Sequence, residues 1–342
     1  MNVIVTWMYC SPINESILHA QVGKESGTQR TQDYYWRCVF LLFESSARLN
    51  PNARHILFVN KSPPRTIDGI SLDKLSSQYN IEVIKLQSIT KSPSDYYHAW
   101  NTQFIVLDVL DQLKEEVGGS DNIFILDSDI IFNEAISNEL MNDIESHKAL
   151  LYSIDYSRNH DINGLTRVEL LEISKEMNSG FPVDDFVYSG GELICCRGSE
   201  ISIIADMGRK AYLTSLERHR EGRAKFNEEA HLLSYVYHTL GYQPYTANKY
   251  VKRIWTDRSA YYNIDGSECD LVMWHLPAEK KAGFLKVFRS FREVDSTLKL
   301  TAKNFARSYG IEESISSKLL RYLKTCARGA NRLLHRLTRR RA

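Results

Sequence analysis

Two aspartates stand two residues apart in the apolar run NIFILDSDIIF, residues 122–132. In an extended segment, residues two apart face the same side, so the carboxylates of Asp127 and Asp129 can converge on one point. Two such charges repel one another unless a cation lies between them, and Mg²⁺ and Mn²⁺ prefer oxygen ligands of this kind. The competing interpretation is a turn cap beside a solvated acid. The pattern therefore predicts a divalent metal site.

Later residues suit the same chemistry. His275 ends a short apolar segment, and neutral imidazole is a good ligand for such a metal. A hydrogen-bonded core histidine is the alternative for this position. Lys280 and Lys281 follow closely and can stabilise negative charge that develops on a phosphate group, unless they form a solvated loop pair. We therefore add His275 to the predicted metal ligands and the two lysines to the binding residues.

The first half of the chain alternates segments of strand-like and helix-like periodicity. Strands are predicted at 2–9, 55–60, 81–86 and 122–127, and helices at 31–49 and 94–116, with Ser94 as the N-cap of the second helix. This order implies a mostly parallel sheet with helices on its faces. Ligands of such sheets bind at the carboxyl ends of the strands, where the two aspartates lie.

The second half is less regular. Strands are predicted at 148–155, 185–196 and 271–276, and helices at 200–218 and 227–241. No repeat or Pro/Gly-rich linker divides the chain of 342 residues. We therefore expect one mixed α/β domain, residues 1–290, and a helical basic tail, residues 291–342. The longest apolar run is too short to span a membrane, which takes about 20 residues. The N-terminus reads as a strand and not as a signal peptide.

Cysteine usage bears on the compartment. The six cysteines form no C-x-x-C pair and have no spacing typical of zinc sites. This pattern favours a reducing, cytoplasmic compartment.

Four segments in chain order carry a family resemblance. They are DSD at 127–129, VYSGGELI at 187–194, NEEAHL at 227–232 and MWHLPAEKKAGF at 273–284. The order resembles GT-A-fold glycosyltransferases, in particular the retaining family 8 of the glycogenin and lipopolysaccharide-galactosyltransferase type. These enzymes show a D-x-D, an F-N-S-G strand, an acidic helix start and a late histidine. The resemblance covers roughly residues 1–285, but Asn-Glu-Glu replaces Asp-Gln-Asp and no tryptophan follows the lysine pair.

The resemblance implies a GT-A-like mixed, mostly parallel sheet flanked by helices, and a metal-dependent transfer of a sugar from a UDP-sugar. Gly190 and Gly191 would let the backbone approach a sugar closely, unless they form a plain turn. Glu192, Glu228 and Glu229 are the candidate catalytic acids, which can bind sugar hydroxyls or accept the acceptor proton. A helix start, where the dipole favours acids, is the alternative use of the last two.

The first strand and the D-x-D supply further candidates for nucleotide-sugar binding. Thr6, Trp7 and Tyr9 stand at the end of the first strand and can contact the base and ribose, although an aromatic strand end also serves packing. Ser128 lies between the two aspartates. All four are predicted to line the nucleotide-sugar site.

The tail has a composition of its own. Residues 318–342 hold nine of the 43 Lys and Arg residues and none of the 42 acidic ones, so the remaining chain is acidic. Leucines recur at near-helical spacing between the basic residues, as in helices that lie on anionic membranes. Nucleic-acid binding and packing on the body are the alternatives. We expect peripheral attachment to the inner face of the cell membrane and no nucleic-acid partner.

The resemblance further implies a hexosyltransferase that uses Mn²⁺ or Mg²⁺ and a UDP-sugar, with galactose as the first choice. The acceptor would be a lipid-linked glycan of lipopolysaccharide, O-antigen or capsule. A calcium loop is disfavoured because DSDIIFN lacks the required glycine and further acids. The alternatives are a metal-dependent nucleotidyl- or phosphotransferase and a non-catalytic sugar-binding protein. Retention or inversion stays open.

Overall fold

The computed structural model describes residues 1–293, except 14, 16, 19–21, 24–25, 100 and 258–260. The helices within these residues are α1 Gln29–Leu49, α2 Leu72–Tyr79, α3 Ile105–Leu113, α4 Asn138–His147, α5 Arg167–Met177, α6 Gly198–Arg220, α7 Glu229–Leu240 and α8 Gly283–Glu293. The longer strands are β1 Asn2–Met8, β2 Arg54–Val59, β5 Ile81–Lys85, β6 Asn122–Leu126 and β11 Leu193–Arg197. The shorter strands are β3 Thr66–Ile67, β4 Ile70–Ser71, β7 Ile130–Phe132, β8 Ala149–Leu150, β9 Ser153–Ile154, β10 Tyr188–Ser189, β12 Val251–Arg253, β13 Thr256–Asp257, β14 Tyr261–Tyr262 and β15 Met273–His275.

A six-stranded sheet forms the centre of the protein, in the order β5-β2-β1-β6-β11-β8. The first four strands are mutually parallel, whereas β11 runs antiparallel to both of its neighbours. The parallel part follows from the strand–helix alternation of the first half, because a helical crossover returns the chain in the same direction. The expectation of a mixed, mostly parallel sheet flanked by helices is confirmed.

Each face of the sheet carries a hydrophobic core. Side chains alternate across β1, so that Ile4 packs with α1 and α8 while Val3 and Val5 pack with α3, α6 and α7. The rings of Phe40 in α1 and Phe288 in α8 meet edge to face, with their centroids 5.0 Å apart. The molecule is therefore built in three layers, and both cores are completed by helices from distant parts of the chain.

A second, small sheet brings the end of the described chain back to the centre. It has the order β12-β15-β7. Strand β15 pairs antiparallel with β7 in a register that places His275 opposite Ile130. The backbone N–H of Leu276 donates to the carbonyl oxygen of Asp129 over 3.1 Å. This pairing, between residues some 145 positions apart, fixes the position of His275 beside the aspartates.

Several predicted elements are corrected. The predicted helix 94–116 is wrong in its first half: only α3 is helical, and it begins after Phe104, so Ser94 is not the N-cap. Tyr96 instead turns inward, and its hydroxyl donates to the carbonyl oxygen of Phe226. Such tertiary contacts outweigh the local helical spacing. The predicted strands 148–155 and 185–196 are each interrupted, forming β8 and β9, and β10 and β11.

The domain boundary at residue 290 stays a prediction, and the predicted basic tail lies outside the described residues apart from the end of α8. A search of the described helices finds none with the length and apolarity needed to cross a membrane.

Candidate functional site

A cavity of about 740 Å³ opens at the carboxyl ends of β1 and β6. This volume lies within the range of about 300–1,000 Å³ that is typical of small-molecule sites. The described residues of its wall include six carboxylic acids but only two permanent cations; the acids are Asp127, Asp129, Asp161, Glu192, Glu228 and Glu229, and the cations are Arg253 and Lys280. Such a wall repels a polyanionic ligand unless a cation accompanies the ligand.

Three potential metal ligands meet in this cavity. One donor atom from each of Asp127, Asp129 and His275 can be chosen so that all lie within 4.8 Å of one another. The Nε2 atom of His275 is 3.2 Å from Oδ2 of Asp129 and 3.8 Å from Oδ2 of Asp127. The carboxylate of Asp127 is 37 % exposed, whereas the other two side chains are buried. The cluster therefore has two buried donors and one that faces the cavity.

Local structure explains why these side chains meet. Residues 127–129 connect β6 to β7 in a tight turn, in which the N–H of Ile130 donates to the carbonyl oxygen of Asp127. The N–H of Asp127 in turn donates to the carbonyl oxygen of Glu192, which precedes β11. The turn is thus held by the neighbouring strand on one side and by β15 on the other.

The charges of the cluster are strongly coupled. Burial and the neighbouring charge of Asp129 raise the pKa of Asp127 to about 6. Burial opposes the ionisation of Asp129, but Lys280 and His275 outweigh it and hold the pKa of Asp129 far below its usual range. Burial likewise disfavours the charged form of His275, but Asp129 and Glu192 raise its pKa to about 9. A divalent ion would have to displace the proton of His275 in order to bind there.

The donor atoms of the cluster suit a divalent metal ion. The Oδ2 atom of Asp129 and the Nε2 atom of His275 are buried, and they lie 3.2 Å apart in an ion pair that Lys280 joins through Oδ2 at 2.6 Å. Neither atom makes a hydrogen bond of good geometry with the described residues, so both can exchange these contacts for a metal ion. Two carboxylates and an imidazole are a suitable donor set for Mn²⁺ or Mg²⁺.

Glu192 and Arg253 lie on the side of His275 that faces away from the two aspartates. The carboxylate of Glu192 is buried and accepts from Nε and Nη2 of Arg253 over 2.8 and 2.6 Å. Its Oε1 atom also lies 3.2 Å from Nδ1 of His275. Burial opposes the charge of Glu192, but the charges of Arg253 and His275 hold its pKa far below the usual range. Glu192 thus orients the imidazole from the ring nitrogen opposite the aspartates.

The two predicted lysines have different surroundings. Lys280 is buried, and its Nζ atom lies 2.6 Å from Oδ2 of Asp129. Burial lowers the pKa of Lys280, but Asp129 outweighs that effect and raises it. Lys281 is exposed and does not line the cavity. The structure therefore brings only the first of the two lysines to the metal cluster.

Glu228 and Glu229 face the cavity from the start of α7. Glu228 accepts hydrogen bonds from the hydroxyl of Tyr188, over 2.9 Å, and from the amide of Asn163. The Oε2 atom of Glu229 is buried without a hydrogen bond to the described residues, and burial and Glu228 raise its pKa well above the usual range. Both residues also stand at the helix start, as the alternative interpretation expects: Glu228 is the N-cap residue, without a side-chain cap bond, and Glu229 lies in the first turn.

The predicted glycines permit close packing at the same point. A Cβ atom on Gly191 would lie 2.7 Å from Oε1 of Glu229. A Cβ atom on Gly190 would lie 2.0 Å from Oε2 of Glu192, so this glycine packs closely against Glu192. Gly190 does not line the cavity. Only Gly191 reaches the cavity wall.

The first strand contributes an aromatic wall. Trp7 and Tyr9 line the cavity, as does Ser128 between the aspartates. The hydroxyl of Tyr9 donates to Oε2 of Glu15 over 2.9 Å. Thr6 points away: it is fully buried and its hydroxyl donates to the carbonyl oxygen of Leu126 over 2.7 Å. Thr6 therefore joins β1 to β6 and is not part of the cavity wall.

Several residues of the site were not predicted from the sequence. Arg253, Asn163, Trp255 and Tyr261 line the cavity but come from segments without a recognisable motif, whereas Tyr188 lies within VYSGGELI. The available signal was Arg253, which stands in a strand-like segment before TDRSAYYN. An arginine that is buried in a strand requires a carboxylate partner, so its position could have indicated a buried acid nearby.

Comparisons with known proteins add little to this geometry. No protein-family model matches the chain, and no curated protein matches it. Similar solved structures include the apo form of mouse xyloside xylosyltransferase 1, at 9 % identity and a TM-score of 0.43, covering 81 % of this chain and 98 % of that one. At such values the likeness assigns no activity to this chain.

Proposed function

We propose that the protein is a metal-dependent glycosyltransferase that transfers a sugar from a UDP-sugar to a hydroxyl group of a glycan. One observation carries the proposal: Asp127, Asp129 and His275 converge at the carboxyl ends of parallel strands, inside a cavity large enough for a small-molecule substrate. Nucleotides bind at such strand ends, and their diphosphates commonly bind together with a divalent ion.

Each side chain has a role in this proposal. Trp7 and Tyr9 would contact the base and ribose, because they lie on the β1 side of the cavity. Asp127, Asp129 and His275 would hold Mn²⁺ or Mg²⁺. The bound ion would act as a Lewis acid that neutralises the diphosphate leaving group.

The remaining polar groups act on charge and orientation. Lys280, next to Asp129, would add positive charge beside the diphosphate as the bond to the sugar breaks. Glu229, whose pKa is raised well above its usual range by burial and by Glu228, would in its protonated form donate a hydrogen bond to a sugar hydroxyl. Glu228 would accept one.

The finer points of the proposal rest on the sequence resemblance alone. They are galactose as the donor sugar, a lipopolysaccharide, O-antigen or capsule glycan as the acceptor, and family 8 as the family. Attachment to the inner face of the membrane likewise rests on the composition of the tail.

The test is release of UDP from a panel of UDP-sugars in the presence of Mn²⁺. We expect turnover with at least one donor, and its loss on chelation. Asp129→Asn keeps the size of the side chain but replaces a charged metal ligand by a neutral amide, so UDP release should fall by at least about 100-fold. Mn²⁺ binding, measured by calorimetry, should be weakened in the same variant. Asp184→Asn is the control, because Asp184 is fully exposed and, among the described residues, forms an ion pair with Lys175.

Two other outcomes would contradict the proposal. Release of pyrophosphate from a nucleoside triphosphate and a sugar 1-phosphate, with no UDP released from any UDP-sugar, would identify a nucleotidyltransferase. Binding of Mn²⁺ and UDP without turnover of any donor would identify a non-catalytic sugar-binding protein.

A further inference from the structure

An aromatic pair stands on the cavity wall away from β1. The ring centroids of Trp255 and Tyr261 are 5.5 Å apart and the rings are tilted by 44°. Both residues line the cavity, yet Tyr261 is 67 % exposed. Large apolar rings left in contact with solvent inside a binding cavity commonly contact a ligand.

The pair is held in place by polar contacts. The side chain of Asn263 accepts from the N–H of Trp255 over 2.7 Å and donates to the carbonyl oxygen of Arg253 over 2.7 Å. The hydroxyl of Thr256 donates to the carboxylate of Glu279. Arg253 binds Glu192, which in turn contacts His275 of the metal cluster. Trp255 follows Arg253 by two residues in the chain.

The order of the strands places the start of this segment away from the proposed nucleotide side. Trp7 lies near the end of β1, the aspartates follow β6, and Glu192 precedes β11, so the three points follow one another across the sheet. The N–H of Arg253 donates to the hydroxyl of Tyr152, which follows β8 at the sheet edge. The chain therefore leads to Trp255 from the β11–β8 side, beyond the aspartates from Trp7, and Thr256 then contacts Glu279 next to Lys280.

The same side of the cavity carries the groups that recognise sugars. The rings of Tyr156 and His160 are stacked, with centroids 4.6 Å apart and planes 8° from parallel. Asp161 and Asn163 line the cavity close by in the sequence. Aromatic faces pack against the C–H faces of a pyranose, while carboxylate and amide groups bind its hydroxyls.

From this arrangement we propose that Trp255 and Tyr261 form the acceptor subsite, and that the acceptor group bound there is a pyranose of a saccharide. The inference rests on the proposed function, because the nucleotide side is assigned through it. It adds the residues that would bind the second substrate and the part of the glycan that they would contact, a pyranose ring.

Binding of the protein to an oligosaccharide array, with Mn²⁺ and UDP present, tests the proposal. We expect binding to a subset of saccharides, and calorimetry with the strongest of them measures the affinity. Trp255→Ala and Tyr261→Ala should each weaken that affinity by about tenfold, whereas Trp255→Phe, which keeps an aromatic face, should stay within about threefold. Tyr245→Ala is the matched control, because Tyr245 is exposed but lies outside the cavity. Thermal unfolding checks that each variant is folded.

The outcomes separate the two proposals. Saccharide affinity that is unchanged in both alanine variants, or no binding to any saccharide on the array, overturns the acceptor subsite. Release of UDP by the wild-type protein alongside such a result would leave the glycosyltransferase proposal standing. Saccharide binding that depends on Trp255, without turnover of any UDP-sugar, would contradict only the enzymatic proposal.

Discussion

Glu192 ties the candidate metal cluster to the rest of the protein. It is buried and holds two positively charged groups, Arg253 and His275, one on each side. Breaking a buried ion pair by removing one partner leaves the other charge without compensation, which costs about 3–5 kcal/mol. The same carboxylate orients the imidazole, and loss of such a contact lowers metal affinity by about 10–100-fold. Stability and metal affinity therefore depend on one side chain.

Glu192→Gln should consequently lower both quantities, as measured by chemical denaturation and by Mn²⁺ titration calorimetry. Glu268→Gln is the matched control, because Glu268 is also fully buried and paired with a cation, Lys252, at 2.5 Å, but lies outside the cavity. This control should lose stability and keep its Mn²⁺ affinity. Equal Mn²⁺ affinity in both variants would show that Glu192 does not position His275.

Among the elements, β2 carries an ionisable group that links folding to pH. His55 lies near the start of β2, the second strand of the central sheet, is buried, and its ring meets that of Phe43 edge to face at 6.0 Å. Its Nε2 atom has no hydrogen bond to the described residues. Burial lowers its pKa to about 4, because the charged form is poorly solvated there.

The pH dependence of stability follows from the difference between the pKa of His55 in the folded and in the unfolded chain. The unfolded chain takes up a proton on His55 near pH 6.5, but the folded chain does so only near pH 4. Since the unfolded state binds more protons between these values, stability falls as the pH is lowered from 6.5 to 4, by up to about 3 kcal/mol. His55→Gln removes the titrating group and should remove this part of the slope.

Urea denaturation at several pH values between 4 and 7 measures that slope, independently of the absolute stability of the variant. His98→Gln serves as the control, because His98 is exposed, and it should retain the wild-type slope. Parallel stability curves for wild type and His55→Gln would contradict the prediction.

At the scale of the whole molecule, the charge distribution divides the chain into an acidic body and a basic end. The body is closed at its C-terminal side by α8, whose Phe284 and Phe288 are buried in the core against α1. The residues beyond position 293 lie outside the described part of the chain. Their composition still predicts binding to anionic membranes, with each cation contributing about 1 kcal/mol.

A chain that ends at Ser317 lacks the nine basic residues of segment 318–342. We expect it to lose co-sedimentation with vesicles that contain phosphatidylglycerol, while the full chain binds them and dissociates at high salt. Vesicles of phosphatidylcholine alone are the control. Retained binding of the shortened chain to the anionic vesicles would refute a membrane role for the tail.

The sequence by itself predicted the mixed α/β class, the parallel strands and the two aspartates at their carboxyl ends. Those features are local, because the periodicity of β1, α1 and β6 and the two-residue spacing of Asp127 and Asp129 require no distant partner. For the same reason the sequence was wrong at 94–104, where the deciding contacts are remote. The side chains of Tyr96 and Gln103 bind the backbone of residues 226 and 227 there, more than 120 positions away.

Only the tertiary structure decided how the site is completed. The pairing of β15 with β7 brings His275 to Asp129, and the pairing of Arg253 with Glu192 supports it from behind. The tertiary structure also gives neighbours in the sequence different surroundings. Lys280 is buried beside Asp129 whereas Lys281 is exposed, and Trp7 lines the cavity whereas Thr6 is buried between β1 and β6. Register between strands and burial of side chains are set by the whole fold, so residues that are distant in the chain meet only once both cores are packed.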